Sequence, residues 1–194
     1  MSAMKRWAVV AGLLLLPGLA VAETIQFQVT FTPQPADLGE LDHNLVYFWG
    51  FDAAPSQRSG LVAATLTFDN IRDWESESNV LYVHLLDYAA LGVQTVGDDQ
   101  GGGDYFVTRY AGTDSHLVTY RNLSTHPQDL VYTFSSDDLA TLTSYLADGR
   151  AGVGFDPDCH FYNDGVSLTL AYSPEPPSLG LLALGALGLL RRTR

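Results

Sequence analysis

The sequence predicts an all-β protein, an antiparallel β-sandwich of the jelly-roll type with one short helix. The first observation is that many short segments alternate apolar and polar residues, as in 24–32, where Phe27, Val29 and Phe31 share one face. The second is that clusters of glycine, proline, asparagine and aspartate separate these segments. The third is that a single segment of the central region has helical periodicity.

The strands are predicted in chain order, and short loops connect them. They cover 24–32, 45–51, 61–68, 80–86, 105–110, 117–121, 130–134, 151–162 and 166–172. Asn163-Asp164-Gly165 is predicted to be the tight turn of a hairpin, because Asp-Gly between two strand-like segments is a strong hairpin signal. The segment 98–104 contains three consecutive glycines and is predicted to be a flexible loop.

The one predicted helix begins after Ser135 or Ser136, either of which is a suitable N-cap. Gly149 suits the position just after its end. Its apolar residues recur at helical spacing and predict a stripe that packs on a sheet: Leu139, Leu142, Tyr145 and Leu146.

The first 22 residues have the pattern of a secretory signal peptide. Lys5 and Arg6 precede the apolar segment 8–16, and Ala20-Val21-Ala22 is a small-x-small cleavage site. We therefore divide the chain into a signal peptide (1–22), an extracellular domain (23–173) and a C-terminal tail (174–194).

The tail has three features in a fixed order. Pro174-Glu175-Pro176 comes first, followed by the apolar segment 179–190 and a basic cluster of Arg191, Arg192 and Arg194. As a helix the apolar segment is roughly 18 Å long, which is short for a bilayer core of about 30 Å. The arginines place the C-terminus on the cytoplasmic side and the domain outside the membrane.

This tail closely resembles the PEP-CTERM sorting signal. The resemblance implies that an exosortase, a membrane protease, recognises Pro174, Glu175 and Pro176 and removes the tail after export by the secretion machinery. It also implies a Gram-negative bacterium that makes exopolysaccharide and biofilm, an inner-membrane intermediate, and a final place at the cell surface or in the matrix. The stretch 154–165 is also similar to hairpins of other PEP-CTERM proteins.

The charge of the domain excludes one class of partner. It contains 21 acidic residues and five arginines, and therefore has a formal charge of −16, whereas the whole chain has −12. Nucleic acid needs a basic surface, so we expect no nucleic-acid partner. The single cysteine, Cys159, excludes a disulfide within one chain and is expected to be either a buried apolar residue or an exposed thiol.

The segment 154–165 is the richest candidate site. In an extended strand Asp156, Asp158 and His160 share one face and can hold a divalent cation. Asn163 and Asp164 at the turn add oxygen ligands, which favours Ca²⁺. The alternative is that these residues are ordinary turn formers on a solvated hairpin.

Two tryptophans are candidate ligand contacts. Trp49 lies in an aromatic cluster and Trp74 lies among acidic residues, so either can stack on a sugar ring if it is exposed. The alternative is packing in the core. No Gly-x-Ser-x-Gly or His-Glu-x-x-His motif is present, and the histidines are scattered singly.

We therefore expect a non-enzymatic envelope or matrix protein that is structural or associates with exopolysaccharide. The alternative is a secreted carbohydrate-active hydrolase, because the many acidic residues offer pairs of carboxylates. Such an enzyme should have two facing carboxylates with shifted pKa values in a cleft.

Overall fold

The described part of the computed structural model is residues 27–173, except 59, 99–101 and 111. The predicted signal peptide and the predicted sorting tail lie outside these residues. Within them, no helix is both long enough and apolar enough to cross a membrane.

The described chain is mostly β-structure, and its strands form two five-stranded antiparallel sheets that are both open. The first sheet has the order β1-β10-β3-β7, with β9 paired to the far end of β3. Its strands are β1 (Phe27–Phe31), β3 (Leu61–Asp73), β7 (Gln128–Thr133), β9 (Phe161–Tyr162) and β10 (Gly165–Tyr172). The mostly β, antiparallel prediction is confirmed.

The second sheet has the order β5-β2-β8-β4-β6. Its strands are β2 (Leu45–Asp52), β4 (Val80–Leu86), β5 (Gly92–Gly97), β6 (Asp114–Arg121) and β8 (Arg150–Pro157). Strand β8 lies in its centre and pairs with both β2 and β4.

The main core contains apolar residues from both sheets. Ala64, Leu66 and Phe68 on β3 are buried, as the alternation of 61–68 predicts. Phe68 meets Phe155 of β8 edge to face, with ring centroids 5.7 Å apart. The inward faces of the two sheets therefore pack against each other.

A second apolar cluster covers the opposite face of the second sheet. It contains Val46, Phe48, Leu86, Ala89, Tyr105 and Phe106. Strand β8 is consequently buried on both faces. Its residues Gly152 and Gly154 leave the space for this cluster, because a Cβ on Gly154 would lie 2.3 Å from the ring of Phe106.

The segment 105–110 was predicted to be a strand, and this prediction is wrong. It contains the short helix α1 (Tyr105–Arg109), for which Asp104 is the N-cap. The alternation of large apolar residues suggests a strand, but Phe106 is completely buried against Gly154 and Phe48. This tertiary contact and the cap outweigh the local strand preference.

The prediction of a continuous strand over 151–162 followed by a tight hairpin is also wrong. Strand β8 ends at Pro157, and the chain then crosses to the first sheet. There β9 and β10 both pair with β3 in one continuous register, with Tyr162 opposite Arg72 and Gly165 opposite Asp69. Asn163 and Asp164 therefore interrupt a single strand line and do not reverse the chain. A 13-residue partner strand supplies pairing positions on both sides of that interruption.

The predicted helix is confirmed. Helix α2 (Ser136–Tyr145) begins after Ser135, which forms a capping box with Asp138. A 3₁₀ turn (Leu146–Asp148) follows, and Gly149 ends it in the left-handed conformation at φ 100°. Leu142 and Leu146 of the predicted stripe are buried.

Candidate metal centre

A cluster of three carboxylates lies where the end of β8 meets the loop before α1. Asp98, Asp156 and Asp158 each offer one oxygen, and these three oxygens lie within 4.8 Å of one another. The period of β8 places Asp156 on the same face as Gly152 and Gly154, towards α1. The face that the alternation predicts to be outward is therefore covered by a second layer.

Asp156 is completely buried. The backbone N–H of Tyr105 donates a hydrogen bond of 2.7 Å to its Oδ2 atom. Its Oδ1 atom is buried and has no hydrogen-bond partner in the described part of the chain. The first residue of α1 therefore hydrogen-bonds one oxygen of the carboxylate and leaves the other without a donor.

Asp158 has the same kind of partner. The backbone N–H of Gly103 donates to its Oδ2 atom at 3.2 Å, and its Oδ1 atom is also buried without a partner among the described residues. Both carboxylates thus bind a backbone N–H of the same loop with one oxygen and have the other oxygen left over.

The electrostatic environment of this cluster is unfavourable for negative charge. Burial raises the pKa of Asp156 to about 7, the Tyr105 N–H opposes this increase, and the charges of Asp98, Asp158 and Asp104 add to it. Burial likewise raises the pKa of Asp158, against the effect of the Gly103 N–H.

A buried histidine holds the loop beside the cluster. The Nδ1 atom of His84 lies 2.7 Å from Asp114 Oδ2, and its Nε2 atom lies 2.9 Å from Asp104 Oδ2. Asp104 also accepts the N–H of Phe106 through Oδ1, and the Phe106 ring stacks on His84 at 4.7 Å. These contacts connect β4 and β6 to the start of α1.

Oxygen ligands of this kind suit hard cations. Carboxylates bind Ca²⁺ or Mg²⁺, whereas zinc sites favour imidazole and thiolate. A second group of possible ligands contains His84, Asp104 and His116. Both ring nitrogens of His84 already contact carboxylates, so neither nitrogen is available as a metal ligand.

The structure brings two of the five predicted metal ligands together, Asp156 and Asp158. His160 contacts Glu40, with 3.2 Å between Nε2 and Oε2. Asn163 donates to the carbonyl of Asp37 at 3.0 Å, and Asp164 accepts from Asn70 at 2.9 Å. The predicted joint site fails because the chain leaves the sheet after Pro157, so residues 160–164 lie on the other sheet.

Asp98 and Asp104 are the site residues that sequence reasoning missed. The available signal was an aspartate at each end of the glycine-rich segment 98–104, which we interpreted only as a flexible loop. The loop approaches Asp158 through Gly103 and Asp156 through Tyr105.

Cys159 directly follows Asp158 in the chain, and its buried thiol is a poor metal ligand. Its single S–H is shared between two carboxylate oxygens, with Sγ 3.1 Å from Asp73 Oδ1 and 3.2 Å from Glu77 Oε1. Burial raises the pKa of the thiol to about 12, and the two carboxylates add to this increase. The thiolate, which is the form that reacts and binds metals, is therefore disfavoured.

The two predicted ligand tryptophans differ in exposure. Trp49 is 2% exposed and packs against Phe51, although it lines a surface cavity of about 320 Å³ together with Asp52. Trp74 is 50% exposed. Its ring lies 5.7 Å from His160, which in turn lies 5.0 Å from the ring of Tyr162.

Comparison with known proteins gives no match to a protein-family model and none to a curated protein sequence.

Proposed function

We propose that this chain is an exported, non-enzymatic protein of the cell envelope or extracellular matrix, sorted by an exosortase and associated with polysaccharide. Its body would be a β-sandwich of the jelly-roll type. One observation carries the proposal, namely the order of Pro174-Glu175-Pro176, the apolar segment 179–190 and the final arginines. A signal-peptide pattern at the other end of the chain supports the same route.

A surface patch around Trp74 supports the association with polysaccharide. Trp74, His160 and Tyr162 form a row of neighbouring rings, and Arg72 lies over the Tyr162 ring at 5.2 Å. An exposed aromatic ring offers an apolar surface to a sugar, while polar groups beside it can bind hydroxyls. Glu40, which contacts His160, supplies such an acceptor.

The charge of the domain indicates which polysaccharide to test first. A formal charge of −16 over 23–173 repels polyanions, so a neutral exopolysaccharide is the better candidate. Trp49 is nearly covered and would contribute by packing, so Trp74 is the residue to change.

The sorting route predicts that Glu175→Ala keeps the tail on the protein. We expect the unchanged chain to lose residues after the Pro-Glu-Pro motif and to reach the outer fractions of an exosortase-containing host. The variant should remain uncut in the inner membrane. Mass spectrometry of the C-terminal peptide and cell fractionation measure both effects.

Glu75→Ala is the matched control, because Glu75 is an exposed glutamate outside the tail. The route is contradicted if the unchanged chain keeps an intact tail in the host, or if Glu175→Ala is processed like the control.

Binding of neutral exopolysaccharide is expected to weaken at least about tenfold in Trp74→Ala, because the aromatic platform is removed. Affinity electrophoresis of the full chain in detergent, with the polysaccharide in the gel, measures this. Tyr88→Ala is the control, because Tyr88 is another exposed aromatic residue, 62% accessible. Equal retardation of the two variants would remove Trp74 from the proposal.

A hydrolase is the second candidate, and one observation favours it. Asp156 and Asp158 are close, and the pKa values of both are raised, which is the usual state of a catalytic acid. The complete burial of Asp156 speaks against it, because a glycosidic bond does not reach this carboxylate in the described conformation. Release of new reducing ends during incubation with the polysaccharide would favour the hydrolase.

A further inference from the structure

We propose that Asp98, Asp156 and Asp158 bind one calcium ion between the end of β8 and the loop before α1. The proposal depends neither on the export route nor on polysaccharide binding. It replaces the hairpin site 156–164 with a site that joins two distant parts of the chain.

Exposed acidic clusters are common without a bound ion, so proximity alone does not indicate one. The indication here is Asp156, which is completely buried and has an Oδ1 atom without a partner among the described residues. A buried carboxylate oxygen that lacks a donor is costly, because it has lost its hydration without replacement. A cation in the cluster supplies the missing partner.

Asp158 repeats this arrangement. One oxygen of each carboxylate accepts a backbone N–H, from Tyr105 for Asp156 and from Gly103 for Asp158. These hydrogen bonds hold both side chains in place, and the remaining oxygen of each is buried and available. In metal sites, hydrogen bonds from neighbouring groups to the ligating side chains fix the orientation of those ligands.

The ligand type and the spacing favour calcium. Calcium binds oxygen at 2.3–2.6 Å, so ligands on opposite sides of the ion lie about 5 Å apart. Three carboxylate oxygens within 4.8 Å of one another fit around one such ion. Magnesium binds at 2.0–2.1 Å, requires near-octahedral geometry and holds its water more tightly, so it suits this set less well.

The site would connect two parts of the chain that are far apart in sequence. Asp98 directly follows β5, whereas Asp156 lies near the end of β8 and Asp158 directly follows that strand. An ion that binds all three stabilises the folded chain, because the unfolded chain does not hold these residues together.

Thermal unfolding of the full chain in detergent tests the site, with CaCl2, MgCl2 or EDTA as the only variable. With an affinity of about 10⁻⁴–10⁻³ M, as in extracellular calcium modules, 5 mM CaCl2 should raise the Tm by about 2–9 °C over EDTA. MgCl2 at the same concentration should raise it less.

Asp156→Asn should abolish at least about nine-tenths of the calcium-dependent shift. In EDTA this variant should melt no lower than the unchanged chain, because an amide removes a buried charge that has no counter-ion. Asp158→Asn should reduce the shift as well and serves as a second variant. Near-UV circular dichroism confirms that each variant is folded.

Asp87→Asn is the matched control, because it removes one exposed aspartate outside the cluster and should keep the full shift. The proposal is overturned if calcium does not change the Tm of the unchanged chain, or if Asp156→Asn retains the full shift. An equal effect of magnesium would overturn the assignment to calcium.

Discussion

Gly50→Ala is expected to lower the free energy of unfolding by at least about 3 kcal/mol, the upper part of the range for overpacking. Gly50 lies in β2, inside the second sheet. A Cβ at this position would lie 2.2 Å from the carbonyl oxygen of Ala90 and 2.6 Å from that of Ala89. These are backbone atoms, so a change of side-chain rotamer cannot relieve the contact.

Gly97→Ala is the matched control for this prediction. Gly97 lies in the neighbouring strand β5, and a Cβ there would meet no atom within 4 Å. Because glycine costs about 0.5–1 kcal/mol relative to alanine in a strand, this variant should be equally or slightly more stable. Urea unfolding compares the two variants, and equal stability would contradict the close approach of 89–90 to β2.

His84→Ala is expected to cost about 3–5 kcal/mol, because it removes a large buried ring together with a hydrogen-bond partner of two carboxylates. The His84 side chain is 1% exposed, and its two ring nitrogens contact Asp104 and Asp114, which are 14% and 10% exposed. Without the ring, both carboxylates remain in poorly hydrated positions. Asp104 would also lose the contact that holds it at the start of α1.

Two further variants separate the carboxylate contacts of His84 from simple packing. His84→Leu fills much of the space without a donor, so we expect it to be about as destabilising as His84→Ala. His116→Ala removes a more exposed histidine from the neighbouring strand and should cost less than about 1 kcal/mol. If His84→Leu restores the midpoint of urea unfolding, packing rather than the carboxylate contacts explains the effect.

Local patterns predicted much of the strand content. The buried positions Ala64, Leu66 and Phe68 follow from alternation alone, because one face of β3 packs on the core. The N-cap Ser135 and the terminal Gly149 also follow from local chemistry, since a helix end needs a side-chain acceptor or a left-handed residue. Each of these signals lies within a few residues of the element that it defines.

Other elements were predicted wrongly because two local structures compete. The sequence of 105–110 suits a strand. Phe106 is nevertheless buried as part of α1, in the space that Gly154 leaves by having no side chain. Asn163-Asp164-Gly165 suits a hairpin turn, yet β3 is long enough to pair with the chain both before and after this segment. In both places a distant partner decides between the alternatives.

The sequence by itself determined the mostly β, antiparallel class of the domain, the capped helix and the acidic character that disfavours nucleic acid, because these depend on local periodicity and composition. It also supplies the patterns at 1–22 and 174–194 on which the proposed export and sorting route depends. Only the tertiary structure decided that Asp98 joins Asp156 and Asp158, that Trp49 is covered and that Trp74 is exposed. Burial and the meeting of distant residues are set by how the sheets pack, and a linear pattern does not contain that information.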